Sequence, residues 1–185
     1  MPSCTGDCKS SHCAELQLPC LCFSYTRLAS TPHTLAHFCK PRTPPRPADT
    51  EPRPTENVRA VVALNEEYET RFLCCSAQEW EAMGVEQLRL STVDLTGVPT
   101  LENLRKGVEF ILKHRACGNS VYVHCKAGRS RSATLVAAYL IQVHHWSPQE
   151  AIEAIAKIRP HILIRHKQVQ VLETFHRNML TRTTA

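Results

Sequence analysis

From Val58 onward the chain alternates short apolar runs with longer amphipathic ones. Val58–Leu64 (VRAVVAL) is β-branched and apolar, the pattern of a buried parallel strand. Ser76-x-x-Glu79 forms a capping box before a short helix that Gly84 can end. Val85–Ser91 alternates and predicts a second strand. Thr100 is placed to cap a longer helix with Leu101, Leu104, Val108, Ile111 and Leu112 on one face, ending near Gly118. Val121–Val123 predicts a short buried strand, and Ser132–Trp146 a strongly apolar helix. Ser147-Pro148-Gln149-Glu150 supplies an N-cap, an N1 proline and a capping-box glutamate for the next helix. A last helix is predicted from about Lys167 to Leu180. Strands alternating with helices predict an α/β layer fold.

The first 57 residues have a different texture. They hold nine of the twelve prolines and six of the ten cysteines. Proline fixes φ and removes a backbone donor, so residues 1–57 are expected to be a disordered tail with at most one short element. The apolar stretch Leu16–Tyr25 is interrupted by Pro19. Cys4, Cys8, Cys13, Cys20 and Cys22 with His12 could be taken for a zinc site, but their spacings do not repeat a paired finger pattern. No secretory leader opens the chain, so the cysteines are expected to be reduced. The Ser, Thr and Arg of this region give it a weak likeness to a mitochondrial presequence. Asp7, Glu15 and the prolines oppose the helix such a signal requires.

Composition narrows the partners. Lys and Arg number 22 against 17 Asp and Glu, a net charge of +5. That permits an anionic partner but falls short of the density of a dedicated nucleic-acid binder, and none is expected. No apolar run approaches the ~18 residues of a membrane span.

The chemistry is concentrated in Val121–Ser132, VYVHCKAGRSRS. In a chain with ten cysteines, a bare Cys-x5-Arg is expected about once by chance. Requiring also His124, Gly128 and Ser132 lowers the expectation to about 10⁻⁴. The motif lies between a predicted strand and a predicted helix. Successive N–H groups of such a loop point inward, and the helix dipole favours an anion there. Lys126, Ala127, Gly128, Arg129 and Ser130 would form this phosphate loop, with Gly128 allowing the bend. Arg131 offers a planar fork for two phosphate oxygens. Cys125 in that field is expected to be a thiolate and to attack phosphorus. Ser132 can donate to the sulfur and ease its departure, while His124 orients the loop.

The leaving oxygen needs an acid, for which Asp94, at the start of a loop after the second strand, is the candidate. Its structural alternative is a turn residue. Lys126 and Arg129 add cations beside Arg131, either as a solvated loop or as a preference for a substrate carrying more than one phosphate charge. The scheme requires no metal and no cofactor.

HCKAGRSRS resembles the Cys-x5-Arg protein tyrosine phosphatase superfamily, in its dual-specificity branch. Asn65–Cys74, Gly84–Leu101, Val121–His144 and Trp146–Arg159 are further similar to the mitochondrial, protein-tyrosine-phosphatase-like phosphatases of phosphatidylglycerophosphate. The resemblance covers about residues 56–182. It implies a dual-specificity phosphatase fold: a central, mostly parallel sheet flanked by helices, with a catalytic domain over 58–182. It implies Cys125 as nucleophile, Asp94 as general acid and Arg131 as phosphate clamp. It also implies conversion of phosphatidylglycerophosphate to phosphatidylglycerol at the matrix face of the inner mitochondrial membrane, in cardiolipin synthesis, by a monomer. The run Glu66-Glu67-Tyr68-Glu69 matches a family segment near the cleft, which suggests a part for Glu67 and Tyr68 in substrate recognition. Its plainer reading is a polar loop after a strand. Residues 1–55 do not share the resemblance, and Pro160 and His166 depart from the family pattern. Without an initial strand the sheet would carry an exposed edge. Two other readings stay open: a phosphatase of phosphotyrosine and phosphothreonine in proteins, and a catalytically impaired isoform that binds phosphate or anionic lipid.

Overall fold

The computed structural model describes residues 21–23, 58–69 and 76–183, with side chains through Thr181 and not at 21–23. Among the described residues four strands form one parallel sheet: β1 (Leu21–Phe23), β2 (Val58–Ala63), β3 (Glu86–Arg89) and β4 (Ser120–His124). Their order is β1-β4-β2-β3. In the register Val61 lies beside Tyr122, and Val62 beside both Leu88 and Val123. β1 comes from the N-terminal segment and pairs with β4, placing β4 inside the sheet. Of the candidate zinc ligands, Cys22 lies in β1 beside Tyr122. Cys4, Cys8, His12, Cys13 and Cys20, with the remainder of the N-terminal tail, lie outside the described residues.

Helix α1 (Ala77–Ala82) begins at the expected capping box, with Ser76 Oγ accepting from the Glu79 amide and Glu79 accepting from the Ser76 amide. Gly84 follows it with φ of +69°, a left-handed conformation that glycine adopts without a Cβ clash. Helix α2 (Leu101–Ala116) is capped by Thr100. Helix α3 (Arg131–His144) starts one residue earlier and stops two earlier than its apolar pattern predicts, because His145 turns left-handed. Helix α4 (Pro148–Ile158) carries the second capping box, at Ser147 and Glu150, and α5 (His166–Thr183) closes the domain.

Apolar patterning explains the layers. β2 is buried from Ala60 through Ala63, as a parallel strand between neighbours must be. Every residue of α3 from Arg131 to Ile141 is buried. This helix packs against β4, α2, α4 and α5, so it is the centre of the core. α2 approaches it at Gly107, where an added Cβ would stand 2.6 Å from Leu135 Cδ1. The strand-to-helix turn at the N-terminus of α3 is thereby held from all sides, and that turn carries the Cys-x5-Arg motif.

Candidate active site

Three loops converge at the carboxyl ends of parallel strands. Asn65–Glu69 follows β2, Leu90–Gly97 follows β3, and Cys125–Ser130 follows β4. Open parallel sheets bind ligands at this edge.

The loop after β4 is built as the motif requires. Gly128 has φ of +62° and is buried. Cys125 is 3% exposed, and its Sγ lies 3.3 Å from Ser132 Oγ. His124 is buried and stacks on Tyr122, with ring centroids 5.1 Å apart. Lys126, Ala127 and Arg129 face solvent. The loop is also braced from outside. Arg129 Nε donates to the His161 carbonyl at 2.9 Å, and the Leu163 amide donates to the Arg129 carbonyl at 2.8 Å. Gln168 Nε2 donates to Ser130 Oγ at 2.6 Å. Arg159 Nη2 reaches the Ala127 carbonyl at 3.5 Å. Burial lowers the Arg159 pKa, the Cys125 and Tyr122 charges pull it back, and Arg129 adds to the lowering.

Arg131 is almost fully buried and makes contacts in three directions. Its Nη1 and Nη2 pair with Glu69 Oε2 and Oε1 at 2.8 and 3.2 Å. Nη1 also donates to the Thr92 carbonyl at 2.9 Å, and Nη2 lies 2.8 Å from Asp94 Oδ1. Burial opposes the guanidinium charge, but the Glu69 hydrogen bonds and the charges of Cys125, Glu69 and Asp94 outweigh it and raise the Arg131 pKa. The fork expected to hold two phosphate oxygens is thus aligned by a buried carboxylate.

Asp94 is brought to the motif as expected. Its other carboxylate oxygen lies 3.4 Å from Lys126 Nζ, and its amide donates to Glu66 Oε2 at 3.0 Å. Of the Glu66–Glu69 run, Glu67 and Tyr68 are exposed at the rim. Partial desolvation and the charges of Glu66 and Glu69 raise the Tyr68 phenol above its ordinary pKa, with Lys126 pulling the other way.

Sequence reasoning did not assign the roles of Glu69, Gln168 or Arg165. Glu69 is fully buried against Arg131. Gln168 joins the phosphate loop to α5, and Arg165 Nη1 donates to the Leu95 carbonyl at 2.6 Å, tying that loop to the Asp94 turn. The usable signal for Glu69 was position, since its run directly follows the end of a parallel strand.

Comparison with known proteins identifies the family. The family model for the dual specificity phosphatase catalytic domain matches residues 52–178. The chain is 71% identical over 127 residues to phosphatidylglycerophosphatase and protein-tyrosine phosphatase 1 of Mus musculus, covering 69% of this chain and 66% of that protein. The protein of the same name from Homo sapiens is 68% identical over 129 residues, covering 70% and 64%. The chain therefore spans slightly less than two thirds of the length of these curated relatives. Among solved structures, the crystal structure of PTPMT1 in complex with PI(5)P superposes with a TM-score of 0.67 at 69% identity, covering 69% of this chain and 81% of that one. With a family match over more than half its length and the motif assembled in space, the chain belongs to the dual specificity phosphatases.

Proposed function

We propose that the chain is a cysteine-dependent lipid phosphatase that converts phosphatidylglycerophosphate to phosphatidylglycerol. The observation that carries the reaction class is the 3.3 Å contact of Cys125 with Ser132, in a loop whose Arg131 is bridged to Asp94. The choice of lipid rests on the high identity to relatives named for that activity. Lys126 and Arg129, exposed beside the loop, suit a substrate whose charge extends beyond one phosphate.

The substrate phosphate takes the inward N–H groups of residues 126–130 and the Arg131 fork. In doing so it displaces Asp94 from Arg131. Asp94, freed from Arg131, takes the proton of the monoanionic phosphomonoester. Cys125 Sγ then attacks phosphorus as the bond to the glycerol oxygen breaks, and Asp94 passes that proton to the oxygen. A phosphocysteine remains. Water, deprotonated by Asp94, attacks it and releases inorganic phosphate, while the Ser132 hydroxyl donates to the departing thiolate. Nucleophile, clamp and acid are all side chains, so chelation should leave the rate unchanged.

We place the catalytic unit at residues 58–182 and the enzyme at the matrix face of the inner mitochondrial membrane, as a monomer, on the strength of the resemblance over 56–182. No helix among the described residues is long and apolar enough to cross a membrane.

Phosphate release from phosphatidylglycerophosphate vesicles by the full chain, with Cys125→Ser as control, tests the reading. Release that needs Cys125 supports it. Binding without release favours the impaired isoform. A second reading, dephosphorylation of tyrosine in proteins, has support in the relatives' shared name. Faster turnover of a phosphotyrosine peptide than of the lipid would favour it.

A further inference from the structure

We infer that the rim of the cleft is a docking surface for an anionic phospholipid bilayer, with Leu95 and Leu163 entering the acyl boundary and Lys126, Arg129 and Arg165 meeting headgroup phosphates. The inference rests on the lipid-substrate reading and specifies how such a substrate is reached.

Leu95 is 75% exposed and has φ of +59°. That left-handed backbone favours glycine or asparagine, and a leucine there both strains the chain and leaves apolar surface in water. Two hydrogen bonds hold it so. Its amide donates to Asp94 Oδ1 at 2.9 Å, and its carbonyl accepts from Arg165 Nη1 at 2.6 Å. Leu163 is 47% exposed for a different reason. Its neighbours Ile162 and Ile164 pack against the core, while Leu163 between them faces outward. The bond from its amide to the Arg129 carbonyl fixes it to the phosphate loop. Both leucines thus sit on segments tied directly to the catalytic loop or to the Asp94 turn.

Singly exposed leucines are ordinary on protein surfaces. Here charge complementarity selects the occupant. Residues 125–132 and 159–167 carry Lys126, Arg129, Arg131, Arg159, Arg165 and Lys167 and contain no carboxylate. Of the carboxylates nearby, Glu69 is committed to Arg131, Asp94 to Arg131 and Lys126, and Glu66 accepts from the Asp94 amide, while the exposed Glu67 is outnumbered by the exposed Lys126, Arg129, Arg165 and Lys167. Apolar tips tied to segments that carry basic side chains match an interface that is hydrocarbon below and anionic above. A phospholipid presents its phosphate at that same level.

The test uses the full chain and co-sedimentation with phosphatidylcholine vesicles, with and without phosphatidylglycerol. The wild type should partition onto the anionic vesicles. The double variant Leu95→Asn, Leu163→Gln should bind them about tenfold or more weakly, because two apolar side chains no longer leave water. Its turnover of a soluble aryl phosphate and its thermal melt should match the wild type. Asparagine tolerates the left-handed backbone at 95. Leu163→Gln alone, away from the Asp94 turn, should move binding in the same direction. Equal binding by wild type and double variant, or no preference of the wild type for anionic vesicles, would overturn the docking surface. Leucine-dependent binding without phosphate release from embedded phosphatidylglycerophosphate would uphold docking and defeat the lipid-phosphatase reading. Release from a short-chain soluble substrate without vesicle binding would do the reverse.

Discussion

Arg131 Nη2 and Asp94 Oδ1 stand 2.8 Å apart, so the phosphate clamp and the proton carrier are an ion pair before substrate arrives. A phosphate that uses the whole Arg131 fork must take the donor that Asp94 occupies. Asp94 therefore competes with the anion it later serves. Asp94→Ala should tighten inhibition by inorganic phosphate severalfold. The same change should slow alkyl phosphates by about 10²–10⁴-fold, because their leaving oxygen needs a proton, and aryl phosphates much less. Inhibition constants and rates on the two substrate types check both halves. Equal slowing of both would remove Asp94 from the acid role.

Glu69 and Arg131 form a buried pair in which neither partner reaches water. Removing the Glu69 charge breaks a buried pair, a change that costs about 3–5 kcal/mol when the remaining charge has no other partner. Arg131 keeps its ion pair with Asp94. Glu69→Gln keeps the side-chain volume and one acceptor, so the lower end applies. Calorimetry should show a melting temperature lower by on the order of 10 °C. The rate should fall too, because the guanidinium plane loses its second anchor. Retained stability with full activity would show that Thr92 and Asp94 suffice to align Arg131.

The difference between Arg131 and Glu69 shows what was legible beforehand. Cys125, Gly128, Arg131 and Ser132 lie within eight residues, and their chemistry follows from one strand-to-helix turn. The helix starts at Ser76, Thr100 and Ser147 were equally local, since a cap is satisfied within three residues. Glu69 reaches Arg131 across 62 positions, and Arg165 reaches Leu95 across 70. No spacing rule encodes such contacts. Glu69 sits in a run of charged residues that reads as a solvated loop, and only the folded sheet shows that its carboxylate turns inward. Gln168 was hidden likewise, as a polar residue on an amphipathic helix whose buried face proved to include the phosphate loop.

Glu86 provides a test away from the site. Its carboxylate lies 3.1 and 3.2 Å from Lys113 Nζ and 3.1 Å from His114 Nε2. The Lys113 hydrogen bond, partly opposed by burial, lowers its pKa, and the charges of Lys113 and His114 add to this. A carboxyl with a depressed folded pKa stabilises the fold above its unfolded value, near 4.3, and that contribution fades as pH falls through the folded value. The side chain is 50% exposed, so solvent screening limits the effect. Glu86→Gln should cost about 0.5 kcal/mol at neutral pH, with wild type and variant converging as pH falls below the usual carboxylate range. A deficit constant across that range in denaturant melts would mean that the charge contributes nothing.

The 3.3 Å contact between Cys125 Sγ and Ser132 Oγ predicts a change in which step limits the rate. Cys125→Ser should abolish turnover while leaving phosphate binding, because the clamp and the loop amides remain. Ser132→Ala should act later. In the first step sulfur gains a bond to phosphorus and has little use for a donor. In the second it leaves as a thiolate, and a hydrogen bond to a charged group contributes about 1.5–3 kcal/mol. Its loss should slow phosphocysteine breakdown by roughly 10–100-fold. With an aryl phosphate, rapid-mixing experiments should then show a burst near one equivalent of enzyme followed by slow turnover, and phosphocysteine should be trapped by acid quench. Slowing without a burst would mean that Ser132 acts before the intermediate forms, by holding Cys125 in its attacking position.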